Sequence, residues 1–589
     1  MNKRTAELLE RHFEVAFAAP DGIKKLRELI LTLAMQGRLV AQDPKDAPAS
    51  ELLKEIEAEK QRLVKEGKIK PPRLLPPIKE EEKPYALPQG WEWVRFGEIT
   101  QHNSGKTLDG GRNTGLPRKY ITTSNVYWGK FQLNNVREML IREDELDKCS
   151  ARKGDLLICE GGEAGRAAVW ELAEEICFQN HVHRARFYKD VNPYLAYRFF
   201  EKINASGEIN NYRKGVGISN MSSKALASIV FPLPPKSEQH CIVAKIDELM
   251  VRCDELEKLR AAQQEKRLTV HTAAIKQLLN IAEPDQHQRA QTFLAEHFSE
   301  LYTVKENVAE LRKAILQLAV MGKLVPQNPD DQPASELLQE IKAEKQRLVL
   351  ANKIKGPKLG PSIDQEDEPF PVPDNWWWVR IAELAESIDY GTSQKTCDDS
   401  SLVPVYRMGN IVDGRLIDEG FKYISPEIDD LPRLFLQPND ILFNRTNSYE
   451  LVGKSARYTG QAEQATFASY LIRVRLHDAL LNPVFMSLAM NAPYFRSTQI
   501  EPEIVQQCGQ ANFNGTKLSL CAVPLPPFAE QHRIVAKIDQ LMTLCDSLEQ
   551  HIDKTALKQT ELLNALVHAQ SQNKHEKPKS VAEALPQPA

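Results

Sequence analysis

Carboxylate, amide and imidazole side chains able to do hydrolytic or transfer chemistry occur in this sequence, but in incomplete sets. Asp155 and Glu160 have the look of a paired-carboxylate site for phosphodiester cleavage, yet no lysine completes it. The second half of the chain matches Asp155 with Asp440 and offers no acid opposite Glu160, so a turn role is expected for the aspartates. Asn192-Pro193-Tyr194 holds part of the tetrapeptide with which amino-methyltransferases grip a target amine. The second proline is missing, and the counterpart Asn482-Pro483-Val484 lacks the aromatic, so a helix start is the expectation. His240 and His532 have no serine, cysteine or metal-ligand partner nearby in sequence, which points to helix-start packing or a partner contact. Gly161 to Gly165 precede no long helix and read as a loop rather than a phosphate cradle, and no Walker-type phosphate loop is present. Nine cysteines include no C-x-x-C pair and no zinc-spaced cluster, so reduced thiols are expected, with no metal and no catalytic residue.

The residue types assembled in quantity are those of nucleic-acid recognition. Arg, Lys, Asn and Gln can read base edges, and hydroxyl and basic groups can hold phosphates. One candidate set is Ser104, Lys106 and Thr107 with Arg112, Arg118 and Lys119, joined by Asn220 in the loop Gly217-Ile218-Ser219-Asn220. The other is Gln394 and Lys395 with Arg407, Arg445, Asn447 and Asn512. Arg184 and Arg186, like Arg473 and Arg475, alternate along predicted strands, so each pair faces one side. The formal net charge is −4, which counts mildly against coating nucleic acid by bulk charge and does not exclude specific binding through local patches.

What must position these groups is a repeat. The segment ASELLKEIEAEKQRLV at residues 49–64 recurs as ASELLQEIKAEKQRLV at 334–349. The same offset of 285 residues carries Gly37 onto Gly322 and Trp91-Glu92-Trp93-Val94-Arg95 onto Trp376-Trp377-Trp378-Val379-Arg380. Downstream, PLPPKSEQHCIVAKIDELM at 232–250 recurs as PLPPFAEQHRIVAKIDQLM at 524–542, an offset of 292. One module is written twice: helical lead-in, variable middle, helical lead-out. Packing alone gives no reason for the ends to stay alike while the middles drift apart. Shared partners for the ends and different targets for the middles would.

Leu52, Leu53, Ile56, Leu63 and Val64 fall near helical spacing, with Pro48 and Ser50 as a start and N-cap. Residues 71–88 are proline-rich and read as an extended connector. In the lead-out, Ile242, Ile246, Leu249, Cys253 and Leu256 step by four and three, as do Ile534, Ile538, Leu541, Cys545 and Leu548. That is a coiled-coil seam or an ordinary amphipathic helix. Short strand-like runs with glycine-rich turns make the middles α+β. The expected fold is therefore two mixed α/β domains separated by long antiparallel coiled-coil helices, with pseudo-twofold symmetry. Its segments are a helical repeat at 1–83, a variable domain at 84–235 and a central coiled-coil helix at 236–300. A second helical repeat at 301–368, a second variable domain at 369–527, a distal helix at 528–570 and a disordered tail at 571–589 follow. The charged start of the chain does not read as a signal peptide, and no apolar run approaches the roughly 20 residues of a membrane span. The expectation is a cytoplasmic protein.

The paired sequence Leu233-Pro234-Pro235, Glu238-Gln239, Ile242-Val243, Ile246-Asp247, with its copy Leu525-Pro526-Pro527, Glu530-Gln531, Ile534-Val535, Ile538-Asp539, resembles the specificity subunits of type I restriction–modification systems. Ser124-Asn125-Val126, Gly154-Asp155-Leu156-Leu157 and Gly165-Arg166-Ala167-Ala168, with counterparts Gly409-Asn410-Ile411, Asn439-Asp440-Ile441-Leu442 and Gly453-Lys454-Ser455-Ala456, agree. The long lead-in repeat is most similar to the B class, the EcoAI type. The resemblance implies a non-catalytic subunit whose two target recognition domains each read half of a split, asymmetric double-stranded DNA site. It implies repeated helices that set the spacer and dock two methyltransferase and two restriction subunits. Those partners would use S-adenosylmethionine, ATP and magnesium, and this chain would bind no cofactor. The competing readings are a helical protein–protein adaptor without DNA recognition and a divergent DNA methyltransferase.

Overall fold

The computed structural model describes residues 11–571 except 12, 73, 110, 112, 216–218, 281–283, 355, 357–359 and 508–509. The described residues form two compact units, one within 11–263 and 554–571 and the other within 264–553. The tail at 572–589 lies outside the described residues.

In the first unit, α1 (Gly22–Met35) buries Leu29, Ile30, Leu31, Ala34 and Met35. It stops at Gly37, whose φ of +64° closes the last turn. A Cβ there would lie 2.4 Å from Pro88, so glycine is required twice over. α2 (Ala49–Lys65) buries Ala49, Leu52, Ile56 and Lys60, one stripe at helical spacing. The sequence assigned its N-cap to Ser50. Instead Pro48 stands at the cap position without a side-chain bond, and the first free N–H, on Ala49, donates to Gly90 O at 2.8 Å. The loop before Trp91 thus satisfies the helix end that a serine was expected to cap.

The variable domain follows. β1 (Glu92–Arg95) pairs antiparallel with β8 (Val230–Leu233), Glu92 opposite Leu233 and Arg95 opposite Val230. Its first and last strands are therefore stitched together, and what lies between them can change without moving the flanking helices. Between them run β2 (Thr100–Ser104), β3 (Leu156–Cys159), β4 (Gly161–Gly162), β5 (Ala167–Val169), β6 (Val182–Phe187), α3 (Pro193–Ala205) and β7 (Ser219–Asn220). The sheet order is β5-β3-β6-β2, antiparallel throughout. A second four-stranded sheet carries Leu116–Ile121. The glycine loop predicted at 161–165 is in part the short strand β4, paired with β7.

α4 (Lys236–Leu278) has 43 residues, about 65 Å at the helical rise. It was expected to continue to residue 300. It stops at Leu278, and a separate helix begins at Pro284. Residues to Gln263 belong to the first unit and the rest to the second.

The second unit repeats the plan. α5 (Lys305–Val320) and α6 (Ala334–Leu350) match α1 and α2, Gly322 has φ +68°, and Ala334 N donates to Asn375 O. β9 (Trp377–Arg380) pairs with β16 (Ala522–Leu525) as β1 pairs with β8. β10 (Ala385–Tyr390), β11 (Ile441–Asn444), β12 (Thr446–Asn447), β13 (Ser455–Arg457), β14 (Leu471–Leu476), α7 (Pro483–Ala489) and β15 (Gln510–Asn512) lie between. Their order, β10-β14-β11-β13, is that of the first domain, extended by two short strands into six. α8 (Phe528–Ser571) is the last helix among the described residues, and from Lys554 it belongs to the first unit. There Leu563 and Leu566 share a small apolar cluster with Phe17 and Leu29.

The heads of the long helices correct the seam expectation. Ile242 and Ile246 are fully buried in the core that holds Trp91, Phe199 and Ile30, with Leu249 packed against it. Ile534 and Ile538 are buried with Trp376, Phe485 and Ile315, with Leu541 and Leu548 packed alongside. These positions are consumed in the core of their own unit. Leu256 is exposed.

Candidate nucleic-acid interface

Each variable domain is bolted to its helices by the same buried polar frame. Trp91 Nε1 donates to Glu238 at 2.8 Å, and Trp376 Nε1 to Glu530 at 2.9 Å. Burial pushes both carboxyls above their ordinary range, opposed by the indole bond. Gln239 Nε2 donates to Pro234 O while its Oε1 accepts from Asn192 N–H at 2.9 Å, and Gln531 does the same with Pro526 and Asn482. Asn192 and Asn482 cap α3 and α7 and also meet His240 and His532 at 3.2 and 3.1 Å. The Asn-Pro sequence is thus a helix cap, and the two histidines bond it. Arg27 and Arg312 repeat a lock between helices, Arg27 to Asp254 at 2.7 Å and Arg312 to Asp546 at 2.6 Å.

This frame fixes which end of each domain is free. β6 runs from Val182 toward Asn192, so its C-terminal end points to the helices. β2 and β3 are antiparallel to β6, so their C-terminal ends lie at its other end. That end gathers Ser104 to Lys106, Glu160, His181 and, through the β4–β7 pair, Asn220. In the second domain the same strand ends gather Tyr390 to Thr392, Arg445, Tyr470 and Asn512.

The candidates named from sequence divide. Ser104, Thr107, Lys119 and Asn220 are exposed, as are Gln394 and Lys395. Arg112 lies outside the described residues, with Gly217, Ile218 and Gly509 of the flanking loops. Lys106 pairs with Glu145, and Arg118 with Glu143 at 2.8 Å. Gly105 between Ser104 and Lys106 is a close crossing: a Cβ would lie 2.0 Å from Phe178 O, and at Gly391 2.3 Å from Phe467 O. Arg407 donates to Gly420 O, Asn447 Oδ1 accepts from Ser448 N–H, and Asn512 accepts from Thr446.

The four strand arginines are a correction. Arg184 and Arg473 are 0% and 2% exposed. Arg184 donates to the Asp147 and Ser150 carbonyls, and Arg473 to Asp389 and to the Arg433 and Phe435 carbonyls. Arg186 grips Asp155 with two bonds, at 2.8 and 2.6 Å, and Arg475 grips Asp440 with two at 2.7 Å. The same aspartates accept the Arg152 and Gln437 N–H groups, which fulfils the turn role. Alternation did place each pair on one side, where Arg184 and Arg473 are interior and the part-exposed Arg186 and Arg475 are gripped by buried aspartates. A bidentate pair to a buried carboxylate is a structural clamp and is spent before any DNA arrives.

Glu160, His181, Tyr390 and Tyr470 also stand at these free ends, and none of them is among the candidates read from the sequence. The offset of 285 residues that relates Asp155 to Asp440 also carries Glu160 onto Arg445, and that was the available signal.

The sequence matches the family described as type I restriction modification DNA specificity domain over residues 88–265 and 373–558. It is 34% identical over 559 residues to the type I restriction enzyme EcoAI specificity subunit of Escherichia coli, covering 92% of each chain. It is 30% identical to the EcoEI specificity subunit of Escherichia coli, covering 93% of this chain and 94% of that one. The solved HsdS subunit from Thermoanaerobacter tengcongensis is 18% identical, with 84% of this chain and 99% of that one covered and a TM-score of 0.41.

Proposed function

The chain belongs to the family of type I restriction–modification DNA specificity proteins, and on that premise we propose that it is the non-catalytic specificity subunit of such a system, of the EcoAI-like class. Each variable domain reads one half of a bipartite, asymmetric double-stranded DNA site through its free end. The long helices α4 and α8 pair antiparallel, set the spacer between the halves and recruit two methyltransferase and two restriction subunits. S-adenosylmethionine, ATP and magnesium serve those partners and not this chain, which acts in the cytoplasm.

One observation carries the reading. Two domains share one frame, a buried Trp–Glu–Gln–Asn set with an exposed His bonded to its asparagine, yet present different side chains at the end remote from it. A shared frame suits shared partners, and unlike free ends suit unlike half-sites. The exposed donors proposed for DNA are Ser104, Thr107, Lys119, Asn220, Gln394 and Lys395. Lys106, Arg118, Arg407, Arg445, Asn447 and Asn512 stand beside them, already held by internal bonds. Arg184, Arg186, Arg473 and Arg475 leave the set.

The test is to co-express the chain with its cognate methyltransferase subunit and map modified adenines by single-molecule sequencing. One split motif with unequal halves and a fixed gap, absent without the chain, is the expected result. Methylation unchanged when the chain is omitted, with an active methyltransferase, overturns it.

A further inference from the structure

One backbone address at the free end is the same in both domains and carries side chains of opposite charge. Glu160 follows β3. Its N–H donates to His181 O at 2.8 Å, and its carbonyl accepts from Met221 N–H at 2.8 Å. Arg445 follows β11. Its N–H donates to Tyr470 O at 3.1 Å, and its carbonyl accepts from Phe513 N–H at 2.8 Å. The next residues, Gly161 and Thr446, enter the matching short pairs with Asn220 and Asn512. The main chain is therefore held identically while the side chain is inverted.

Both residues are partly exposed and braced by neighbours. The Glu160 side chain is 21% exposed, its carboxylate 3.5 Å from Nδ1 of His181, whose side chain is 55% exposed. The Arg445 guanidinium lies over the Tyr390 ring at 5.0 Å, and Nη1 donates to Ser469 O at 3.2 Å. Nη2 has no partner among the described residues. Stacking on an aromatic face and one backbone tether orient the guanidinium at little entropic cost when it binds.

An acid at a DNA-facing edge is informative because phosphates repel it. It is tolerated where it accepts a bond from a base, and cytosine N4 and adenine N6 are the amines offered in the major groove. A guanidinium instead matches the two acceptors of guanine, O6 and N7. We propose that this address determines one base in each half-site, Glu160 selecting an amine-bearing base, cytosine or adenine, and Arg445 selecting guanine. This rests on the DNA-reading function proposed above.

The test maps methylation motifs for the full chain co-expressed with its methyltransferase partner, comparing wild type, Glu160→Gln, Arg445→Gln and Arg445→Lys. Thermal unfolding checks each variant. Glu160→Gln is expected to relax or redirect one position of one half-site and leave the other half unchanged. Arg445→Gln is expected to relax one guanine of the other half, with discrimination falling roughly ten- to hundredfold. Arg445→Lys keeps the charge but loses the fork, and is expected to weaken the same guanine should Arg445→Gln fail to fold. Motifs unchanged base for base overturn the proposal. A uniform fall in methylation with an unchanged motif also overturns it, since that marks a phosphate contact. A wild-type chain that yields no split motif overturns the specificity-subunit reading itself, and this inference with it.

Discussion

Gln239→Ala and Gln531→Ala test whether the duplicated frame is one device used twice. Gln239 is fully buried, and so is Gln531. Each joins a proline carbonyl at the end of the domain's last strand to the N–H of the asparagine that caps α3 or α7. Alanine leaves one carbonyl and one N–H buried and unpaired, at about 1–3 kcal/mol each. The expected loss is about 2–6 kcal/mol per substitution, a large part of the 5–15 kcal/mol typical of a whole domain. The bond lengths match within 0.1 Å, 2.9 against 2.8 and 3.0 against 3.0, so the two losses should agree within about 1 kcal/mol. The two side chains belong to different units, so the double variant should be additive within about 0.5 kcal/mol. The assay is urea unfolding with hydrogen exchange followed at the Asn192 and Asn482 amides. Gln239→Ala should deprotect Asn192 and leave Asn482 protected, and Gln531→Ala should do the reverse. Wild-type protection of Asn192 in Gln239→Ala would refute the frame.

Three further outcomes follow from the geometry. Arg186→Ala strands the buried Asp155, which should cost about 3–5 kcal/mol in thermal unfolding, and Arg475→Ala should cost less because Arg473 still lies 3.8 Å from Asp440, while a folded Arg186→Lys protein keeps the methylation motif unchanged. A changed motif would restore the strand arginines as base readers. Gly391→Ala drives a Cβ to 2.3 Å from two carbonyl oxygens and should destabilise the second domain by more than about 3 kcal/mol, whereas Gly409→Ala, with open space around it, should stay within about 1 kcal/mol. Denaturation midpoints of the two variants decide this. Burial pushes the His102 pKa down to about 3, and burial, first among several effects, lowers His183. His102 is neutral when folded and regains ordinary basicity when unfolded, so its contribution is complete above about pH 6.5. For His102 it is lost as pH falls toward 3, at about 1.4 kcal/mol per pH unit. Urea midpoints between pH 7 and pH 4.5 should show this slope, and His102→Phe should flatten it.

The sequence by itself determined the plan. Two gapless offsets fix two modules with like ends and unlike middles, because residues that hold a common frame cannot drift independently. The Trp, Glu, Gln, Asn and His of that frame were all visible as repeated letters. Their mutual bonds were not, since Trp91 and Glu238 lie far apart along the chain and only the closure of β1 on β8 brings them together. The tertiary structure also decided which face of a strand is inside. Alternation placed Arg184 with Arg186 and Arg473 with Arg475 correctly on one side, but periodicity is blind to whether that side meets water or a second layer. Here it meets a layer of carbonyls and aspartates. The seam of α4 and α8 shows the same limit. Steps of four and three specify an apolar stripe, and what covers the stripe is set by the elements the fold brings to it, here each unit's own core. The opposite case is Glu160 and Arg445, which one offset aligns but which look unrelated until identical backbone bonds show them occupying one place.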